Sequence, residues 1–155
     1  MRVIRDRARS VDVDEFLSRP LFAHLATATA DGAPRDSPVW FLWDEGAVWI
    51  IGEPTDSFPE RVKGEPRCAV GVVDFDRRRG LVQHVGIRGR GSVEPWDAAR
   101  ARRLLARYLG SDEARWDARF IEPLSDPRYR FVRVVPESVV ARDVSYPPAL
   151  ADAGA

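Results

Sequence analysis

FAHLATATADGAPRDSPVWFLWDEGAVWII, running from Phe22 to Ile51, is the stretch whose reading decides the fold. Phe22 to Thr29 is β-prone, Ala30-Asp31-Gly32-Ala33 supplies an Asp-Gly turn, and Ser37 to Trp43 resumes with aromatic and branched residues. That pattern predicts a hairpin. Asp44-Glu45-Gly46 is a second tight turn before Ala47-Val48-Trp49-Ile50-Ile51, so the segment reads as a meander of three antiparallel strands.

On the N-terminal side, Val13, Phe16 and Leu17 have helical spacing and Pro20 stops them, which predicts one short helix over Val13–Arg19. On the other side, Gly52 to Ser57 is a polar loop, and Phe58 to Lys63 suits a short helix starting near Pro59 and closed by Glu65-Pro66. Cys68 to Phe75 is a nearly continuous apolar run, which predicts a strand buried on both faces. Leu81 to Glu94 reads as a long strand whose Gly86, Gly89 and Gly91 mark bends, bulges or close backbone approach, as in a curved barrel wall. Ala101, Leu104, Leu105 and Tyr108 make Asp97 to Leu109 a helix ended by Gly110. Ser111 to Ala118 adds a turn or two with Trp116 inward, and Arg130 to Arg142 returns to strand with Pro136 at a bend or edge. The sum is a mainly β chain of six or so strands with appended helices. One domain over 1–145 and a flexible Pro/Ala-rich tail over 146–155 are expected.

The composition narrows the partners. Lys plus Arg equals Asp plus Glu at 24 each, so no net field argues for nucleic acid or an anionic membrane surface. Lys63 is the only lysine, so arginine abundance reflects compositional bias more than phosphate binding. No stretch approaches the ~20 apolar residues of a membrane span. Cys68 stands alone, which excludes an intramolecular disulfide or a Cys-based zinc site and makes a reducing cytoplasm the expected home.

Conventional catalytic signatures are missing. There is no Walker loop, nucleophile elbow or His-Glu-x-x-His, and His24 and His84 are the only imidazoles. Gly86-Ile87-Arg88-Gly89-Arg90-Gly91 does not match Gly-x-Gly-x-x-Gly and lies within a strand pattern, so it reads as backbone curvature. His24, between Ala23 and Leu25, reads as a core histidine, whereas His84, after Gln83 at the start of the long strand, faces either a pocket or solvent. Asp76-Arg77-Arg78-Arg79-Gly80 is read as a solvated hairpin tip. Trp40, Trp43 and Trp49 either stack a planar group or fill core volume.

Four stretches occur in a familiar order: His24-Leu25-Ala26-Thr27 with Asp31-Gly32-Ala33-Pro34, then Ser37-Pro38-Val39-Trp40-Phe41, then Thr55-Asp56-Ser57-Phe58-Pro59-Glu60-Arg61, and finally Val85-Gly86-Ile87-Arg88-Gly89. Together with Glu65-Pro66-Arg67-Cys68-Ala69-Val70 they make the chain resemble the flavin-binding split β-barrel superfamily, which includes pyridoxamine 5′-phosphate oxidase and the deazaflavin-dependent reductases. The resemblance implies a six-stranded antiparallel split β-barrel of the FMN-binding type, assembled as a homodimer with a cofactor in each of two grooves between subunits. It implies an FMN-dependent oxidoreductase acting on a small molecule, with the deazaflavin coenzyme as second cofactor and a non-catalytic cofactor-binding dimer as the rival reading. Thr55 to Arg61 would hold the cofactor phosphate and the backbone of Ser37 to Trp40 would line the ring. The implied cofactor residues are Ser37, Pro38, Val39, Trp40, Ile51, Gly52, Thr55, Asp56, Ser57, Phe58, Arg61 and His84, with Arg35 and Arg88 as further anion contacts. Many relatives read Ser-x-Lys-x-Arg where this chain has Ser57-Phe58-Pro59-Glu60-Arg61, so a lysine at position 59 is expected to restore a missing cation.

Overall fold

The computed structural model describes residues 2–5 and 11–149. In chain order its strands and helices are β1 (Arg2–Arg5), α1 (Val13–Ser18), β2 (Ala23–Ala28), β3 (Pro34–Val39), β4 (Leu42–Asp44) and β5 (Ala47–Gly52). Then come α2 (Phe58–Gly64), β6 (Arg67–Asp76), β7 (Leu81–Pro95), α3 (Ala98–Leu109), α4 (Ala118–Ile121) and β8 (Arg130–Asp143). Short 3-10 turns at Glu113–Arg115 and Glu122–Ser125 flank α4.

Both tight turns of the deciding segment form as their residues dictate. The Thr29 amide donates to the Ala33 carbonyl at 2.9 Å and closes the β2–β3 hairpin, with Gly32 at φ 86°. Glu45 at φ 53° and Gly46 at φ 69° join β4 to β5, the left-handed pair that a two-residue hairpin turn requires. The meander itself does not form. The sheet order is β3-β2-β6-β7-β8-β5-β4, so β3 and β4, adjacent in sequence, lie at opposite ends of one hydrogen-bonded path. The run expected as one strand from Ser37 to Trp43 breaks at Trp40-Phe41.

The break has a visible cause in α3. The Phe41 amide donates to the Tyr108 hydroxyl at 3.1 Å, and the Arg107 guanidinium donates to the Phe41 carbonyl. Arg107 also donates to the carbonyls of Leu17 at 3.0 Å and Arg19 at 2.6 Å, while the Tyr108 hydroxyl donates to Leu21 at 2.8 Å. Backbone groups that a continuing strand would have paired are satisfied by this helix instead.

Seven strands lie on the path, and β1 adds parallel pairing to Ser138–Ala141 of β8, so the count exceeds the six expected. The surplus comes from the split at Trp40-Phe41 and from a four-residue strand too short to leave a periodic signal. The sheet is otherwise antiparallel, consistent with a split barrel. Pro136 sits opposite Gly89, beside the register shift between Arg88 and Gly89, and between the parts of β8 that pair with β5 and with β1. Val144, Ser145 and Tyr146 remain tied to the β7 end, the Tyr146 amide donating to Gly80 at 2.9 Å; residues 150–155 lie outside the described residues. No helix among the described residues is long and apolar enough to cross a membrane.

Hydrophobic residues gather in two clusters. One fills the sheet's concave interior with Phe16, Leu25, Phe41, Ile50, Val70, Ile87 and Val132, and the other packs α3 through Leu104 and Leu105 against Trp49 and Phe131. β5 is buried on both sides, sending Val48 and Ile50 to the first cluster and Ala47 and Trp49 to the second. The strand expected to be two-sided, Cys68 to Phe75, is not: Cys68, Val70 and Val72 point inward, while Val73 is 53% and Phe75 61% exposed. Among the described residues no layer covers the opposite face of β6 at Val73 and Phe75.

Arg107→Met keeps the aliphatic stem and removes the guanidinium donors to the Leu17, Arg19 and Phe41 carbonyls. The exchange should cost about 3 kcal/mol, the scale of leaving buried carbonyls unpaired. Urea unfolding checks it, and a loss below about 1 kcal/mol would mean that those carbonyls find other donors.

Candidate functional site

A groove of about 880 Å³ opens along β3. Because β3 is an edge strand, its outer row of backbone N–H and C=O groups has no ladder partner among the described residues. Pro34 and Pro38 are tolerated there because an edge position demands no donated hydrogen bond. Asp36, Ser37, Pro38, Val39 and Trp40 form one wall, and Ile51 from the end of β5 joins them with Glu53, Asp56, Ser57 and Phe58.

The loop between β5 and α2 is tied down by its own residues. The Glu53 amide donates to the Asp56 carboxylate at 2.8 Å, and the Asp56 amide returns to the Glu53 carbonyl at 3.1 Å. Gly52 is the point of closest approach, since a Cβ on it would stand 2.9 Å from the Pro59 ring and 3.4 Å from the Arg130 side chain. This contact seats α2 against the end of β5.

Arg61 lies one helical turn beyond Ser57 and reaches back to two serines of the groove wall. Its guanidinium donates to the hydroxyls of Thr27 at 2.8 Å, Ser57 at 2.6 Å and Ser37 at 3.5 Å. Three neutral oxygens hold it, and among the described residues no carboxylate pairs with it. The nearby acids are engaged elsewhere: Asp36 with His24 at 2.8 Å, Asp56 with the Glu53 amide, and Glu60 with Arg130 at 2.9 Å and Lys63 at 3.2 Å. The guanidinium is therefore fixed in place by hydroxyls with no carboxylate in direct contact, while the carboxylates of Asp36, Glu53 and Asp56 line the same groove.

Ser37, Pro38, Val39, Trp40, Ile51, Asp56, Ser57 and Phe58 of the implied set line the groove together. Arg61 is joined to it through Ser37 and Ser57. Gly52 is buried behind it, and Thr55 is exposed on the loop without lining it. His84 lies on β7, opposite Val73 and Arg142, and is not among the lining residues of this chain. Its imidazole leans over Gly86, and burial, with Arg142 nearby, pushes its pKa below the ordinary value. Gln83 accepts from Arg19 at 2.8 Å and donates to Asp143 at 3.0 Å, a structural network. Arg35 donates to its neighbour Pro34, and Arg88 points to solvent; neither lines the groove.

Two further expectations are corrected. His24 is not a core residue: its side chain is 60% exposed, since its position in β2 alternates with the buried Ala23 and Leu25, and Asp36 holds its Nδ1. The three tryptophans do not act together. Trp43 donates to Asp14 at 2.7 Å, Trp49 sits under the Arg100 guanidinium in the second cluster, and Trp40 alone reaches the groove. Burial pushes the Cys68 thiol up to about 11, so it is a packing residue. Among the described residues no group of three His, Cys, Asp or Glu could hold a metal ion.

The opposite wall was not foreseen. Phe22, Trp96, Leu104, Leu105, Arg119, Phe120, Pro123, Leu124 and Tyr129 come mostly from α3 and the turns that follow it. In the sequence those turns carry only core-like aromatics and charges, with no spacing that marks a site.

A groove along the β3 edge, in a mainly antiparallel sheet packed by α3, defines a protein of the split-barrel class. The chain belongs to the pyridoxamine 5′-phosphate oxidase family, whose profile matches residues 12–143. Among solved structures, the conserved hypothetical protein Rv2991 from Mycobacterium tuberculosis superposes with a TM-score of 0.71, at 18% identity over 90% of this chain and 89% of its own. An F420 reductase is 25% identical over 84% of this chain and 98% of its own, with a TM-score of 0.63. The heme storage protein HutZ from Vibrio cholerae shares the fold at 13% identity, over 81% of this chain and 87% of its own, with a TM-score of 0.62. No curated protein matches the chain significantly.

Pro59 departs from the expectation drawn from the sequence. It is buried against Gly52, close to the Arg130 side chain, so a longer charged side chain there has to displace packed atoms. Pro59→Lys should lower stability by about 1 to 3 kcal/mol and leave flavin affinity ungained. Thermal unfolding with flavin titration of the variant checks both; tighter binding at unchanged stability would reverse the assignment.

Proposed function

We propose that this protein is an oxidoreductase that holds a flavin-type cofactor in the β3 groove and works on a small-molecule substrate as a homodimer. Arg61 is the observation that carries the reading. Its guanidinium is held by Thr27, Ser57 and Ser37, and of these hydroxyls Ser37 and Ser57 line the groove, where an O–H can donate to the same anion. A flavin-type cofactor presents a phosphoryl group at one end and a flat, hydrogen-bonding ring at the other. The arginine and hydroxyls suit the first, and the unpaired backbone of Ser37 to Trp40 suits the second. When bound, such a group supplies hydride chemistry, and the protein's share is to bind and orient it and to shape the place of the substrate.

FMN is the cofactor that the family resemblance implies. A deazaflavin coenzyme is the second reading, and the single arginine at the Thr27, Ser37 and Ser57 hydroxyls supports it. A phosphate monoester such as that of FMN carries about 1.5 to 2 negative charges at neutral pH, while a phosphodiester carries one, which a single guanidinium balances. The 25% identity to an F420 reductase points the same way. Fluorescence titration with FMN and with the deazaflavin coenzyme tests both. Arg61→Ala should weaken whichever binds by about 1.5 to 3 kcal/mol, roughly ten- to hundredfold. Equal affinity of variant and parent would move the phosphate elsewhere, and a loaded protein that transfers no electrons to any acceptor would favour the non-catalytic dimer.

The homodimer rests on the outer face of β6. Val73 and Phe75 are more than half exposed there, and Ala69 and Gly71 continue the same face. Contiguous apolar surface of this kind is what association removes from water. Sedimentation at micromolar concentration should give a dimer; a folded monomer of 17.4 kDa would overturn it.

A further inference from the structure

The groove is larger than one anion-binding end requires, and its far part has a different chemistry. About 880 Å³ lies high in the range of ~300 to 1,000 Å³ usual for ligand pockets. Beyond Ser37 the lining turns aromatic. Trp40 is stacked on Tyr108 at 4.5 Å with planes 4° apart, and on Phe120 at 5.7 Å and 20°, so the attitude of its ring is set by packing. Phe22 meets Trp40 by its edge at 6.5 Å and remains 60% exposed, a large aromatic at the rim that folding has not buried. Phe22, Trp40 and Phe120 thus line one part of the groove together, and Phe22 is its most exposed ring.

Arg119 lines the groove beside Phe120. It is exposed, its guanidinium lies 4.7 Å from the centre of the Phe120 ring, and among the described residues it has no carboxylate partner. Neighbouring arginines of α3 differ: Arg103 pairs with Asp44 at 2.8 Å and Arg102 with Glu113 at 3.1 Å. Arg102 and Arg103 are thus paired with carboxylates, whereas Arg119, in the turn that walls the groove, lies over an aromatic ring.

We propose that this end is the substrate subsite and that it takes a fused-ring aromatic compound bearing a carboxylate or sulfonate. The rings lie along Phe22, Trp40 and Phe120, where offset and edge contacts favour a planar partner, and the anion meets Arg119. Its role as a substrate subsite rests on the cofactor reading above; its ability to bind such a compound does not.

The test is a fluorescence titration of the full-length protein with 8-anilinonaphthalene-1-sulfonate, a fused-ring aromatic sulfonate. Arg119→Gln and Phe22→Ser are both exposed positions, and circular dichroism verifies that the variants fold. Each should weaken the dye about tenfold, with the Arg119 effect shrinking as salt rises. The uncharged analogue N-phenyl-1-naphthylamine should respond to Phe22→Ser and not to Arg119→Gln. Pyridoxal 5′-phosphate, with a single ring, should displace the dye no better than inorganic phosphate. Dye binding that neither substitution alters, or ready displacement by the single-ring phosphate, overturns the proposal. The two readings fail separately. Loss of flavin binding in Arg61→Ala with no effect of Arg119→Gln on the dye keeps the cofactor site and removes this one; the dye pattern described, in a protein that binds no flavin, does the reverse.

Discussion

Arg107 and Tyr108 hold together three pieces of chain that no strand ladder reaches. The end of α1, the approach to β2 and the corner at Phe41 all direct backbone groups at these two side chains. Both are partly desolvated: burial pushes the Arg107 guanidinium below its usual pKa and the Tyr108 phenol above its own. A cation taken out of water needs several acceptors, and carbonyls supply them without neutralising it. The corner at Phe41 lets β3 and β4 diverge to opposite ends of the sheet. That divergence leaves β3 as an unpaired edge, and the edge becomes the groove.

The second cluster follows from the same helix. Once α3 is anchored, Leu104 and Leu105 pack on Trp49 and Phe131, the outward residues of β5 and β8. Arg100 stacks 3.7 Å over the Trp49 ring, and Arg103 binds Asp44 in the β4–β5 turn. The Asp44 carboxyl is held below its ordinary range chiefly by the Arg103 hydrogen bonds. Groove and helix layer are thus one construction: the chain after α3 turns back across the mouth, and its aromatic residues meet Trp40 there.

Much of the site was legible because it is local. Ser37 to Trp40, Asp56 to Phe58 and Arg61 belong to two short segments, and each segment's turn or helix start is written in its own residues. The cation's partners were less legible, since Thr27 and Ser37 come from other strands and meet Arg61 only after α2 docks on β2. Position 59 shows the limit most plainly. Its place in a first helical turn suggests exposure, but Gly52 and Arg130, distant in sequence, enclose it.

Turns, caps and alternation were determined by the sequence alone, because their energies depend on residues a few places apart. The Asp-Gly and Glu-Gly turns, the Asp97 cap that accepts from Arg100 and the Gly110 stop at φ 92° all follow from local sterics and hydrogen bonding. Tertiary structure alone decided which strands became neighbours, which side of β6 stayed exposed and which arginines met a carboxylate. An apolar run such as Cys68 to Phe75 states that burial is favourable without stating what will cover it. Pairing order depends on contacts between residues tens of positions apart, and no pattern in β3 or β4 could announce a clamp reaching them from Arg107 and Tyr108.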